Sequence, residues 1–312
     1  MKILKILVSF SCVLIIISCN KENSDFNSLN RDKYSPVVDF LKQNAPVMQT
    51  YVVSGSSGGI FISPQGTKIT IPPNAFINSS NSKPITGDVS IQFKDLYKKS
   101  DMLLSDMPTS TYDGYPLKSG GEFFINATSN TSPLVIAPGK KIKIEQPAAL
   151  TGGIDTINIM QPFAFALLDT GSVWQLSPTD SVNYSINNYI FSLNQLNSPS
   201  NWLNCDNSSY FNNFPQTQLM LIPNDAIDVF HTRVYLVFKN ISTVVPVWDN
   251  GVNFPYPYSP IGLDITLVAA GVKDGKLYSS FVPINITANK TVNFSLNLTT
   301  IEDFKSQLNA LN

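Results

Sequence analysis

The chain of 312 residues carries 21 Lys and Arg against 22 Asp and Glu, a formal net charge of -1, and only 14% charged residues. That balance excludes a partner held by phosphate neutralisation, because nucleic-acid binding releases counterions from a strongly basic surface. The length accommodates two domains, each with its own core.

The first residues read as an export signal. Lys2 and Lys5 form a positive start, residues 6–17 form an apolar run, and Ile16-Ile17-Ser18-Cys19 closes it. The run is shorter than the roughly 20 apolar residues that span a bilayer, so a cleaved signal over 1–18 is expected. The pattern resembles the lipobox of bacterial lipoproteins. That resemblance implies cleavage before Cys19 and acylation of Cys19, which ties the mature chain to a membrane through lipid. Residues 19–34 are polar without an apolar period, the composition of a flexible tether. Within them Lys21-Glu22 and Asp25 are similar to the acidic export signals of Bacteroidota lipoproteins, which implies an outer-membrane location.

A short helix follows the tether, with Ser35 as N-cap, Pro36 in the first turn and Val37, Phe40 and Leu41 on one face. Asn44-Ala45-Pro46 should stop it. From residue 51 to 298 the pattern is strand after strand, punctuated by Gly, Pro, Asn and Asp. Val89-Ser90-Ile91-Gln92-Phe93 and Val234-Tyr235-Leu236-Val237-Phe238 are two such runs. Lys273-Asp274-Gly275-Lys276 predicts a hairpin, since both central turn residues need positive φ. Strict alternation of Val292, Phe294, Leu296 and Leu298 predicts one half-buried strand over 291–298. The period then changes: Thr299 and Glu302 have capping-box spacing, and Ile301, Phe304, Leu308 and Leu311 mark a C-terminal helix. The fold class expected is all-β, two β-sandwich-like domains with a short N-terminal helix and a C-terminal helix. The polar stretch 180–188 places the domains at 35–182 and 183–312.

Three cysteines reduce to one in the body, because Cys12 lies in the signal and Cys19 takes lipid. Cys205 then has no partner for a disulfide and is expected to be a buried small hydrophobe. Gly55-Ser56-Ser57-Gly58-Gly59 matches the nucleophile elbow of serine hydrolases, with Ser57 as nucleophile, but that motif needs a strand-to-helix turn and a base. Here Ile60-Phe61-Ile62 reads as a strand and the single histidine, His231, lies in the other half, so a Gly-Ser connection is the better reading. One histidine and one body cysteine leave no set for a transition metal. Asp101 with Asp106, or Asp249 with Asn250, have oxygens suited to calcium, without the spaced acidic loop that holds it; Asp249-Asn250-Gly251 reads as a turn. Glu122 and Glu145 are carboxylates of the type used in glycoside hydrolysis. Both sit in strand patterns where an exposed charge is the simpler explanation. No cofactor is expected.

Residues 247–260 gather Trp248, Phe254, Tyr256 and Tyr258 in a Pro-rich extended loop. Such rings suit stacking on a glycan or receiving a partner peptide; alternatively the loop folds over the open end of the sandwich and buries them.

Gly58-Gly59-Ile60-Phe61 followed by Gly66-Thr67-Lys68-Ile69-Thr70-Ile71-Pro72-Pro73-Asn74-Ala75-Phe76 resembles the opening of the ZU-five domain of zonula-occludens proteins, netrin receptors and ankyrins. The resemblance implies a β-sandwich whose relatives act mainly by binding proteins. Some relatives self-cleave at His-Phe-Ser; this chain has Phe230-His231-Thr232, so that activity is not carried over. Gly87-Asp88-Val89-Ser90-Ile91, Ser119-Gly120-Gly121-Glu122-Phe123 and Trp202-Leu203-Asn204-Cys205-Asp206 look like segments of uncharacterised Bacteroidota envelope proteins. Together these readings lead to a non-enzymatic envelope lipoprotein that binds another envelope protein, with a glycan as the alternative partner.

Overall fold

The computed structural model describes residues 35–111, 113–156, 159–168, 171–196, 201–224 and 231–312. The signal, Cys19, the tether, the side chain of Ser35, and Phe230 lie outside the described residues.

Helix α1 (Ser35–Gln43) leads into strands β1 (Gln49–Ser54), β2 (Gly59–Ile62), β3 (Lys68–Ile71), β4 (Phe76–Asn78) and β5 (Asp88–Leu96). A six-residue helix, α2 (Lys99–Leu104), precedes β6 (Lys118–Ser129), β7 (Ser132–Ile136), β8 (Ile142–Pro147), β9 (Gln161–Leu168), β10 (Gly171–Leu176), β11 (Ser181–Tyr184), β12 (Asn188–Leu193) and β13 (Trp202–Asn207). These strands make two sheets. An eight-stranded one has the path β1-β5-β6-β13-β9-β10, with β7 on β6 and β4 on β7; a five-stranded one has the order β11-β12-β8-β3-β2. Val89, Ile91, Phe93, Phe123 and Ile125 of the first sheet meet Ile69, Ile142, Ile144 and Phe191 of the second in one core.

The second unit holds β14 (Gln216–Pro223), β15 (Thr232–Phe238), β16 (Val244–Val247), β17 (Phe254–Pro260), β18 (Asp264–Lys273), β19 (Lys276–Asn285), β20 (Thr291–Phe294) and β21 (Asn297–Leu298), closed by α3 (Ile301–Asn309). A three-stranded sheet, β17-β14-β20, faces a five-stranded one, β16-β15-β18-β19-β21. All seven residues of β15 are buried, because both faces of its sheet are covered. One faces the three-stranded sheet, and the other faces α1, α2, α3 and the first unit. This explains why β15 reads as a continuous apolar run without alternation.

The fold is the all-β, sandwich-like class expected, with the two terminal helices in place. The division of the chain differs. Strand β12 pairs with β8, and β13 pairs with β6 and β9, so the first unit extends to Asn207 and does not end at 182. The polar stretch near 185 is the turn of the β11-β12 hairpin, where Ser185 N donates to Asn188 O at 2.9 Å. Tight turns and linkers share a polar composition, which is why the two are confused.

The Asp-Gly hairpin forms as expected, with Asp274 at φ 51° and Gly275 at φ 70° between Lys273 and Lys276. The strand expected over 291–298 divides: β20 pairs with β14 in one sheet, and β21 pairs with β19 in the other. Val292 and Phe294 are buried while Leu298 is 63% exposed. The C-terminal helix is capped one residue later than the spacing suggests, by Thr300, whose Oγ1 accepts from Asp303 N at 3.1 Å.

The two units are joined by buried apolar packing and by specific hydrogen bonds. Lys99 of α2 donates from Nζ to Phe238 O at 2.7 Å and Lys239 O at 2.9 Å. Thr109 N donates to Val244 O at 2.7 Å while its Oγ1 accepts from Val244 N at 2.8 Å. Ser119 N donates to Ser242 O, and Thr243 Oγ1 to Leu117 O.

Candidate functional site

The most unusual chemistry lies where β5, β6 and β13 run side by side. Alternation sends Phe123, Leu203 and Cys205 into the sandwich core, and therefore Glu122, Asn204 and Asp206 to the opposite face, which the second unit covers. Register brings the three together: Glu122 opposes Asn204, Ser119 opposes Asp206, and a bulge intervenes. The bulge spends its extra residue at Gly120-Gly121. Gly121 has φ +112°, and a Cβ there would stand 2.4 Å from Tyr97 Cε1, so only glycine fits.

Ser119, Glu122, Asn204 and Asp206 are each 0% exposed. Asn204 Nδ2 donates to Asp206 Oδ2 at 2.7 Å and reaches Glu122 Oε1 at 3.4 Å. Ser119 Oγ donates to Asn204 Oδ1 at 2.9 Å and accepts from Gly121 N at 3.0 Å. Glu122 Oε2 and Asp206 Oδ1 have no hydrogen-bond partner among the described residues. Burial pushes both carboxyls well above the usual range, and the neighbouring Asp206 raises Glu122 further, against a smaller opposing pull from Lys94. Both carboxyls therefore bind a proton more readily than a solvent-exposed acid does.

A second buried polar group sits inside the first sandwich. Asp95 Oδ2 accepts from Ser63 Oγ and Thr67 Oγ1, each at 2.5 Å, and Tyr97 OH donates to Thr67 Oγ1. At the opposite end of the β2-β3 hairpin Gly58 meets the Ile71-Pro72 step: a Cβ on Gly58 would stand 2.2 Å from Ile71 O.

The residues singled out by sequence fall apart in space. Glu122 was expected to be an exposed strand charge and is instead wholly buried, because the face it occupies is packed against the second unit. Glu145 lies on the outer face of the other sheet, paired with Lys143 at 3.0 Å and Lys68 at 3.6 Å; the hydrogen bond from Lys143 lowers its pKa. The two carboxylates therefore do not face one another. Ser57 occupies the turn between β1 and β2, its N–H donating to Ser54 Oγ at 3.2 Å, with a strand on either side. His231 is exposed at the start of β15. Cys205 is 0% exposed within the first core, and burial raises its thiol.

Asp106 accepts from Arg233 Nη2 at 2.9 Å and from Tyr235 OH at 2.8 Å. Asp249 Oδ1 accepts from Gly251 N at 2.9 Å, an Asx turn. Among the described residues no group of three or more His, Cys, Asp or Glu is arranged to hold a metal.

The aromatic loop is also redistributed. Residues 254–260 are not a loop but strand β17, the outer strand of its sheet, a position that tolerates Pro255, Pro257 and Pro260. Phe254 is 0% and Tyr256 3% exposed. Phe254 packs 6.1 Å from Phe294, and Tyr256 OH donates to Gly114 O at 3.1 Å. Tyr258 is half-buried, edge-on to Tyr115 at 5.5 Å. Trp248 alone of the four is substantially exposed, at 45%, with the Arg233 guanidinium 4.2 Å from its ring centroid. The four rings do not form one platform, since alternation along β17 sends Phe254 and Tyr256 into the core.

Sequence reasoning missed Asp206 and Asn204 as partners of Glu122. The available sign was the Asn-x-Asp alternation beside a Gly-Gly-Glu run, which puts polar groups on the same face of two neighbouring strands. No family model and no curated protein matches this chain.

Proposed function

We propose that this chain is a lipid-anchored, non-enzymatic protein of the bacterial cell envelope, held at the outer membrane by acyl chains on Cys19, whose β-rich body binds another envelope protein. The observation carrying the reading is the burial of the groups best suited to chemistry. Glu122, Asp206 and Cys205 are each 0% exposed, inside packing where a substrate has no path to them, whereas a general acid or base must reach the proton it moves. The export-type start with its Cys19 supports the address. The resemblance of residues 58–76 to a domain whose relatives bind proteins supports the activity.

In-cell cross-linking with the anchored chain as bait tests this, with Cys19→Ala as the control. A reproducible envelope partner, lost in that control, is the expected result; capture no greater than the control overturns it. Glycan binding is the second reading, favoured only by the exposed ring of Trp248. Affinity electrophoresis in polysaccharide gels, with mobility unchanged across host and plant glycans, removes it.

A further inference from the structure

Among the described residues both sheets of the first sandwich are open on the same side, and these two edges have matching symmetry. Strand β1 ends the eight-stranded sheet and β2 ends the five-stranded one. In an antiparallel ladder, backbone groups point alternately toward and away from the partner strand. Gly55 N bonds Gly87 O at 2.8 Å, so along β1 the residues Val53 and Tyr51 turn their backbone groups to β5 and Val52 and Thr50 turn theirs outward. Ser63 N bonds Thr67 O at 2.8 Å, so on β2 Phe61 faces β3 and Ile60 and Ile62 face outward. Each edge thus presents two residues with outward N–H and C=O, placed symmetrically about a central residue, Tyr51 in one and Phe61 in the other.

Those two central residues stand against each other. The rings of Tyr51 and Phe61 are stacked, 4.1 Å between centroids and 18° between planes. One two-fold axis normal to the sheets, passing beside this pair, is therefore the symmetry centre of both edges at once. We propose that the surface formed by β1 and β2 pairs with the same surface of a second copy. Thr50 bonds Val52 of the other copy in one sheet and Ile60 bonds Ile62 of the other copy in the second, so that both sheets run on across the dimer.

Charge and side chains agree with a second copy as the occupant. Neither β1 nor β2 contains a charged residue, although exposed edges are ordinarily protected by charge or proline. Lys68, the register partner of Ile62, is paired with Glu145. Across the axis it would lie three strand spacings, about 14 Å, from its own mate, beyond the Debye length of about 8 Å. Val52, Ile60 and Ile62 are 66%, 64% and 62% exposed, and the pairing covers them. The contact is small for a stable interface, so a dissociation constant on the order of 10 to 100 micromolar is expected. Self-pairing needs no acylation and stands independently of the function proposed above.

The test uses the full chain in membranes, with Ile60→Cys and Ile62→Cys combined, followed by mild oxidation and a non-reducing gel. A disulfide-linked dimer should form at least tenfold faster than in a Leu298→Cys control, whose site is equally exposed. Adding Thr50→Pro, which removes an outward N–H from the other sheet without breaking the β1-β5 ladder, should slow it. Sedimentation equilibrium of the full chain in detergent should show monomer and dimer exchanging, and Ile60→Lys should weaken that association at least tenfold. Cross-linking no faster than the control, or a dimer insensitive to Ile60→Lys, overturns the proposal.

Discussion

The side-chain amide of Asn204 lies 2.7 Å from Asp206 Oδ2 and 3.4 Å from Glu122 Oε1, one nitrogen set between two acids that are both closed to solvent. Each acid has a folded-state pKa raised well above its ordinary value by burial. The folded chain therefore keeps protons that the unfolded chain releases above about pH 4. The stability they contribute is fully present below the unfolded pKa and is lost as pH rises toward the folded values. Urea denaturation between pH 4 and 8 should show the wild type falling relative to Glu122→Gln/Asp206→Asn, which carries no titrating group there. Parallel curves would mean that the two carboxyls are not protonated in the fold. At neutral pH, Asn204→Ala should cost about 2 kcal/mol or more, because it strips a buried network of its central donor.

Lys99 presents the opposite sign. Its amine is buried between two carbonyls, and burial lowers its pKa to about 8. Between that value and the unfolded 10.5 the unfolded chain binds more protons, so stability attributable to this group rises with pH through that window. Relative to Lys99→Met, the wild type should gain about 1 kcal/mol per pH unit between pH 8.5 and 10. A difference that does not change with pH would place the amine in contact with water. At pH 7 the substitution also leaves Phe238 O and Lys239 O without their donor, which loosens the link between α2 and the second unit.

Legibility in the sequence followed the range of each interaction. The Asp274-Gly275 hairpin and the α3 period are local and were readable. Strand membership was not: the run Val292, Phe294, Leu296, Leu298 alternates perfectly, yet β20 and β21 belong to different sheets. Nothing local encodes that crossing. Glu122 looked like a solvent-facing charge because alternation says only that it faces away from Phe123. That its face meets a second unit depends on contacts more than a hundred residues distant, such as Thr109 with Val244. Cys205 was correctly expected to be buried, since burial is the common fate of a lone thiol.

The cap of α3 separates two neighbouring threonines. Thr300 Oγ1 accepts from Asp303 N at 3.1 Å, whereas Thr299 Oγ1 makes only a 3.4 Å contact with the Thr300 carbonyl. Thr300→Ala should cost about 1 kcal/mol, and Thr299→Ala a few tenths at most. Thermal unfolding of the two variants decides between them. Equal losses would return the cap to the position that spacing alone suggests.

The rings of residues 248–258 divide into structural and surface members, and their substitution costs should divide the same way. Phe254 is wholly enclosed beside Phe294, so Phe254→Ala should lose about 3 to 5 kcal/mol in urea titration. Tyr256→Phe removes only the bond to Gly114 O and should cost about 1 kcal/mol. Trp248 is half exposed, and its ring contact with Arg233 is of the kind worth about 0.5 to 1 kcal/mol at accessible sites. Trp248→Ala should therefore leave a folded body close to wild type in stability, which makes it the variant for reading partner or glycan capture. Any loss of capture in Phe254→Ala would follow from unfolding. A loss in Trp248→Ala with stability intact would assign the contact to that ring. A destabilisation by Trp248→Ala as large as that of Phe254→Ala would mean that Trp248 belongs to the core.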